Sequence, residues 1–130
     1  MNKYLSPEWC AEAKKLLNEQ LNPERMNYAT ASLSNIYKNC PDGKDRYLYI
    51  SFDHGAIAAF EVGSDTPPEA EFKITGNYDV FAQISRAELN SQKALMTGQL
   101  SLTGNMAKAM GLTPVMDRFN KVLAQVPAEY

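Results

Sequence analysis

The sequence predicts one α+β domain, residues 1–130, with an antiparallel or mixed sheet and its helices largely on one face. Three observations lead there. Two proline-led helix starts stand near the N-terminus, at Ser6-Pro7-Glu8 and Asn22-Pro23-Glu24. A strictly alternating run follows at Tyr47–Asp53. Beyond it the chain passes through a helix, a short strand and two apolar helices, so the order is helices, strands, helix, strand, helices. A length of 130 residues, 45% of them apolar, suits a single domain that buries a real core.

The elements follow in order. Ser6 is placed to cap a helix, Pro7 suits its first position, and Glu8 complements the positive helix end. Trp9, Ala13, Leu16, Leu17 and Leu21 then share a face. Asn22-Pro23-Glu24 ends that helix and starts a second. Met26, Thr30, Leu33 and Tyr37 keep helical spacing, yet Leu33–Lys38 also alternates as a strand would; periodicity alone leaves both open. Asn39-Cys40-Pro41-Asp42-Gly43 is a turn. In the next strand Leu48, Ile50 and Phe52 face one way and Tyr47, Tyr49 and Ser51 the other. His54-Gly55 turns the chain into a partner strand, Ala56–Val62, making an antiparallel hairpin.

After the loop Gly63–Glu69, Ala70–Thr75 reads as a short strand with Phe72 and Ile74 on one side. Asn77–Leu89 reads as a helix with Val80, Phe81, Ile84 and Ala87 inward. Asn90-Ser91 breaks it and caps a turn from Gln92 to Met96 that stops at Gly98. Gln99–Thr103 is a strand with Leu100 and Leu102 on one face. Asn105 caps a short helix, Met106–Met110, which Gly111 stops. Thr113-Pro114 starts the last helix, whose apolar residues are Val115, Met116, Phe119, Val122, Leu123 and Val126.

Composition excludes several function classes. The net charge of −2 gives no cause to expect nucleic-acid binding, and Arg46–Lys73 encloses five acids and no lysine or arginine, which would repel phosphate. No apolar run reaches the ~20 residues needed to span a bilayer. The N-terminus lacks a signal-peptide core, and a cytoplasmic protein is expected. Cys10 and Cys40 form no CxxC pair and are expected to be free thiols. His54, the sole histidine, has no metal-ligand partners in sequence, and no metal or cofactor is expected. Gly98, Gly104 and Gly111 match neither a dinucleotide fingerprint nor a P-loop. With no nucleophile, base or metal set, an enzyme is not expected.

The methionines differ in kind. Four of six lie in Ala94–Leu123: Met96, Met106, Met110 and Met116. Methionine is flexible and polarizable, so it fills irregular space and adapts to varied ligands. Met106 and Met110 lie one helical turn apart, and Met116 and Phe119 share a face, with Leu123 a turn beyond. Spacing alone is compatible with ordinary core packing and with the lining of a ligand pocket.

Motif order adds to this. Ala94-Leu95-Met96-Thr97-Gly98-Gln99-Leu100-Ser101-Leu102-Thr103-Gly104-Asn105, followed by Met106–Met110, resembles the ALxxGKLKLxGDxxxAxKL stretch of the SCP2 domain family, named for sterol carrier protein 2. Arg46–Gly55 resembles that family's strand and turn, and Ala70–Thr75 with Tyr78–Ile84 its following strand and helix. The resemblance runs from about Met26 to the end and is nearest to the small stand-alone members of bacteria and archaea. Asn105 replaces the usual aspartate, Gln99 and Ser101 replace lysines, and Arg86–Ser91 lacks the usual acidic link.

The resemblance implies a five-stranded sheet packed by helices, with its first strand at Leu33–Lys38 and an apolar tunnel between sheet and helices. It implies non-catalytic binding and carriage of a lipid: fatty acid, fatty acyl-CoA, sterol-like or prenyl lipid. Transient membrane-surface contact would accompany such a role. The alternative is an accessory protein of lipid or quinone metabolism that uses the same groove for a partner or a prenylated intermediate. The expected lining comprises Phe81, Ile84, Leu95 and Met96, with Leu100 and Leu102 as floor. Met106 and Met110 form an adaptable wall, and Met116, Phe119 and Leu123 the inner face of a closing helix.

Overall fold

A computed structural model describes residues 2–130. Its α1 (Pro7–Gln20) starts as its first residues dictate, with the Ser6 hydroxyl accepting from the Trp9 N–H at 3.1 Å. Trp9, Ala13 and Leu17 form its buried face. The strands are β2 (Ala31–Lys38), β3 (Arg46–Asp53), β4 (Ala56–Gly63), β5 (Phe72–Asn77) and β6 (Leu100–Thr103), joined in the order β4-β3-β2-β5-β6. The sheet is mixed: β2 lies at its centre, antiparallel to β3 and parallel to β5. The alternating residues of β3 behave as read, with Leu48, Ile50 and Phe52 all buried.

β4 and β5 lie on opposite sides of β3 and β2, so the chain between them must cross the sheet. It does so behind β2, where the Ser34 hydroxyl donates to the Pro68 carbonyl at 3.1 Å. Ser34 and Ile36 are buried on that back side. The opposite side of β2 carries Leu33, Asn35 and Tyr37, and the helices cover it. A short N-terminal strand β1 (Asn2–Lys3) pairs in parallel with a C-terminal β7 (Ala128–Glu129), which places Tyr4 against Tyr130, with ring centroids 4.9 Å apart. Tyr4 also stacks edge-on against Trp9, Tyr37 and Tyr78.

Two local expectations are corrected. Asn22-Pro23-Glu24 opens a turn rather than a second helix: Asn27 and Tyr28 enter the left-handed region, at φ +53° and +51°. That turn is held from across the molecule. The Gly55 N–H donates to the Ala29 carbonyl at 2.8 Å, and a Cβ on Gly55 would lie 2.6 Å from the Pro23 oxygen. Two residues of positive φ, His54 and Gly55, make the β3–β4 turn. Next, α2 (Tyr78–Ser85) is shorter than Asn77–Leu89, because Ala87 turns left-handed and lies exposed rather than inward. The β1–β7 pair was not foreseen, because two-residue strands carry no periodic signal to read.

The remaining helices are α3 (Ser91–Met96), α4 (Met106–Gly111) and α5 (Thr113–Leu123). The two halves of the sheet are covered differently. Over β4 and β3, α1 and α5 pack tightly, with Phe119 edge-on to Phe52 and Phe60 at 6.1 and 6.2 Å. Over β2, β5 and β6, the short helices leave space.

Candidate ligand-binding cavity

That space is a cavity of about 390 Å³. Its floor is the sheet: Leu33 and Asn35 of β2, Phe52 of β3, Phe72 and Ile74 of β5, Leu100 and Leu102 of β6. Gly76 permits the close approach at the end of that floor, since a Cβ there would lie 2.3 Å from Leu100 Cδ2. The walls are Phe81 and Ile84 of α2, Leu95 and Met96 of α3, Met106, Ala109 and Met110 of α4, and Met116 of α5. Met96, Met106 and Met110 line the cavity yet are 81%, 55% and 67% exposed, so it opens between α3 and α4.

Asparagines hold those walls. The Asn90 carboxamide oxygen accepts from the Gln92 and Lys93 N–H groups at 2.8 and 3.2 Å and starts α3. Asn105 does the same for α4, accepting from the Lys108 N–H at 3.1 Å. The Lys108 ammonium then reaches Glu71 at 2.6 Å and ties α4 to the entry of β5. No residue of α4 is buried.

Nine of the eleven residues expected at the lining are brought together here: Phe81, Ile84, Leu95, Met96, Leu100, Leu102, Met106, Met110 and Met116. Phe119 and Leu123 are not among them; both are buried in the core. The reason is helix geometry. At 100° per residue, three positions fall 60° short of a full turn. Phe119 and Leu123 therefore drift with Val115 and Val122 toward the core, whereas Thr113, Met116, Asp117 and Asn120 share the arc that meets the cavity. Asn35, Ser91, Gln92, Asp117 and Asn120 were not expected at the lining. The available signal was a polar residue interrupting an otherwise apolar face, as Asn35 does between Leu33 and Tyr37.

Reactive groups lie elsewhere. Both cysteines are free; burial pushes each thiol up, away from the thiolate. His54 sits exposed on its hairpin, its Nδ1 2.6 Å from Asp53. Burial likewise raises the phenols of Tyr4 and Tyr37. Among the described residues no cluster suits a metal ion, and no helix is long and apolar enough to cross a membrane.

Fold and cavity together define a class: a small α+β domain built round an apolar binding space. Residues 13–117 match the SCP-2 sterol transfer family, and the chain belongs to it. No curated protein sequence matches it significantly. Among solved structures it is similar to a crystal structure of sterol carrier protein 2, at 20% identity and TM-score 0.82, over 96% of this chain and 100% of that one. The solution structure of a conserved hypothetical protein from Thermus thermophilus, described as possibly a sterol carrier protein, gives 20% and 0.82, over 99% and 93%. That of palmitated SCP2L2 from Aedes aegypti gives 18% and 0.61, over 85% and 94%. At these identities the likeness establishes the fold.

Proposed function

We propose that the chain binds a long apolar lipid in this cavity and carries it without chemical change. The candidates are a fatty acid, a fatty acyl-CoA, a sterol-like or a prenyl lipid. One observation carries the reading: a cavity of about 390 Å³ walled by apolar side chains of the sheet and four helices, its mouth edged by exposed methionines. That volume falls within the range of small-molecule sites. Each methylene removed from water contributes about 0.8 kcal/mol, so a long chain binds well with few polar contacts. The flexible methionines adapt to the entering chain. They also suit transient contact with a membrane surface from which a lipid is taken.

The test is binding of Nile red, an uncharged polarity-sensitive dye, with organic extraction and mass spectrometry of the purified protein. The expected result is a blue-shifted, saturable dye signal that long-chain lipids displace. A protein that binds neither dye nor lipid would end the reading. Met110→Asp should weaken dye binding about tenfold or more, since the carboxylate must desolvate against the entering chain.

A further inference from the structure

Resting on the carrier reading, we propose that Met96, Met106 and Met110 form an oxidation site at the cavity mouth, where a peroxide converts their thioethers to sulfoxides and so weakens lipid binding reversibly.

Two independent observations support this. The first is access. Among the described residues the exposed large apolar side chains are Tyr28 and these three methionines, whereas Met26 is fully buried and Met116 half-buried. Core packing does not account for the three, and a dissolved oxidant reaches them without any opening of the fold. The thiols are poor competitors. Cys40 is buried and Cys10 half-buried, and burial raises both, so little thiolate forms at neutral pH. In the step itself a sulfur lone pair attacks one peroxide oxygen. An S–O bond forms, the O–O bond breaks and the sulfur gives up two electrons. The departing hydroxide takes the remaining proton and leaves as water.

The second is placement. All three line the cavity, Met96 from α3 and Met106 and Met110 from α4, so they edge the gap between those helices. A thioether is apolar and bends to fit an alkyl chain; a sulfoxide is polar and chiral, and water binds its oxygen. An entering lipid must strip that water at each oxidised position, a cost with no counterpart in the reduced protein. In the empty protein the added oxygens stay in water, because the side chains that carry them stand at the surface. Oxidation therefore acts on the affinity of the cavity and leaves the fold in place.

The experiment applies hydrogen peroxide at about pH 5, where thiols stay protonated, and then removes it. Peptide mass spectrometry locates the sulfoxides, Nile red titration reads binding, and circular dichroism reads folding. Met96, Met106 and Met110 should oxidise well before Met26. Nile red affinity should fall about fivefold or more, while the melting temperature should move by no more than about 3 °C. Methionine sulfoxide reductases of both stereospecificities should restore the affinity, and dithiothreitol alone should not. The combined variant Met96→Leu, Met106→Leu, Met110→Leu, compared with itself before and after peroxide, should lose the response, and Met26→Leu should keep it. A combined variant that responds as strongly as the parent overturns the proposal. So does recovery with dithiothreitol alone, or a loss of affinity that only follows unfolding; these decide the matter even where the combined variant does not fold. Dye affinity unchanged with all three methionines oxidised removes this proposal and keeps the carrier reading; no dye binding before oxidation removes both.

Discussion

Phe119→Ala separates core from cavity wall on the final helix. Phe119 is fully buried and meets the rings of Phe52 and Phe60 edge-on, at 6.1 and 6.2 Å. Truncating such a side chain removes its transfer free energy and leaves a hole that a packed sheet and two helices cannot close, a loss of about 3–5 kcal/mol. A domain of this length has about 6–20 kcal/mol in total, so the variant should still fold. At roughly 3–5 °C per kcal/mol, its melting temperature should fall by about 10–20 °C. Met110→Ala is the control. Two-thirds of that side chain is already exposed, and its loss should change stability by no more than about 0.5 kcal/mol. Dye affinity should show the reverse order, with Met110→Ala weaker and Phe119→Ala changed less. Thermal unfolding followed by circular dichroism, with Nile red titration of the same samples, measures both. A melting temperature for Phe119→Ala within about 3 °C of the parent would refute the core placement.

Two further outcomes are expected. Gly55→Ala should cost about 2 kcal/mol or more by urea denaturation, because φ is +86° and the new methyl would lie 2.6 Å from the Pro23 oxygen; a midpoint equal to the parent's would show that the Asn22–Tyr28 turn does not rest on the hairpin. Alkaline pH should destabilise the protein. The Tyr4 and Tyr37 phenols are raised by burial in the folded state, so the unfolded chain gives up their protons first. Proton binding is then lower in the unfolded state, and stability falls once pH passes the ordinary phenol value of about 10. Urea midpoints between about pH 9 and 11 should show that slope, and Tyr37→Phe should make it shallower.

Much of the fold was legible because short-range chemistry dictated it. Ser6, Asn90 and Asn105 cap helices where the sequence placed them, and the Leu48, Ile50, Phe52 alternation specified the buried face of β3. What failed depended on distant residues. Asn22-Pro23-Glu24 is a sound helix start, and its turn is held in part from far along the chain, by the Gly55 N–H on Ala29 and by the Arg118 guanidinium on the Arg25 carbonyl. The cavity was partly legible for a related reason. Residues on the short elements could be placed by motif, whereas the apolar stripe of α5 is wide enough to face two ways. Only the neighbours it packs against divide it between Met116 and Phe119. Asn35 and Asp117 went unseen at the lining because strand register and the phase of α5 become visible only in three dimensions.

The helix α4 contributes little to the interior: none of its six residues is fully buried, and Ala109 alone packs, partly buried, against the core. Its amides should exchange with solvent through local opening far below the global unfolding free energy, while those of β2 and β3 exchange only near that limit. Displacing α4 would require giving up the packing of half-buried Ala109 and one exposed ion pair, Lys108–Glu71, worth about 0–1 kcal/mol. Opening the cavity and unfolding the domain are thus separable events, and the rate at which a ligand enters can change without any change in the melting temperature.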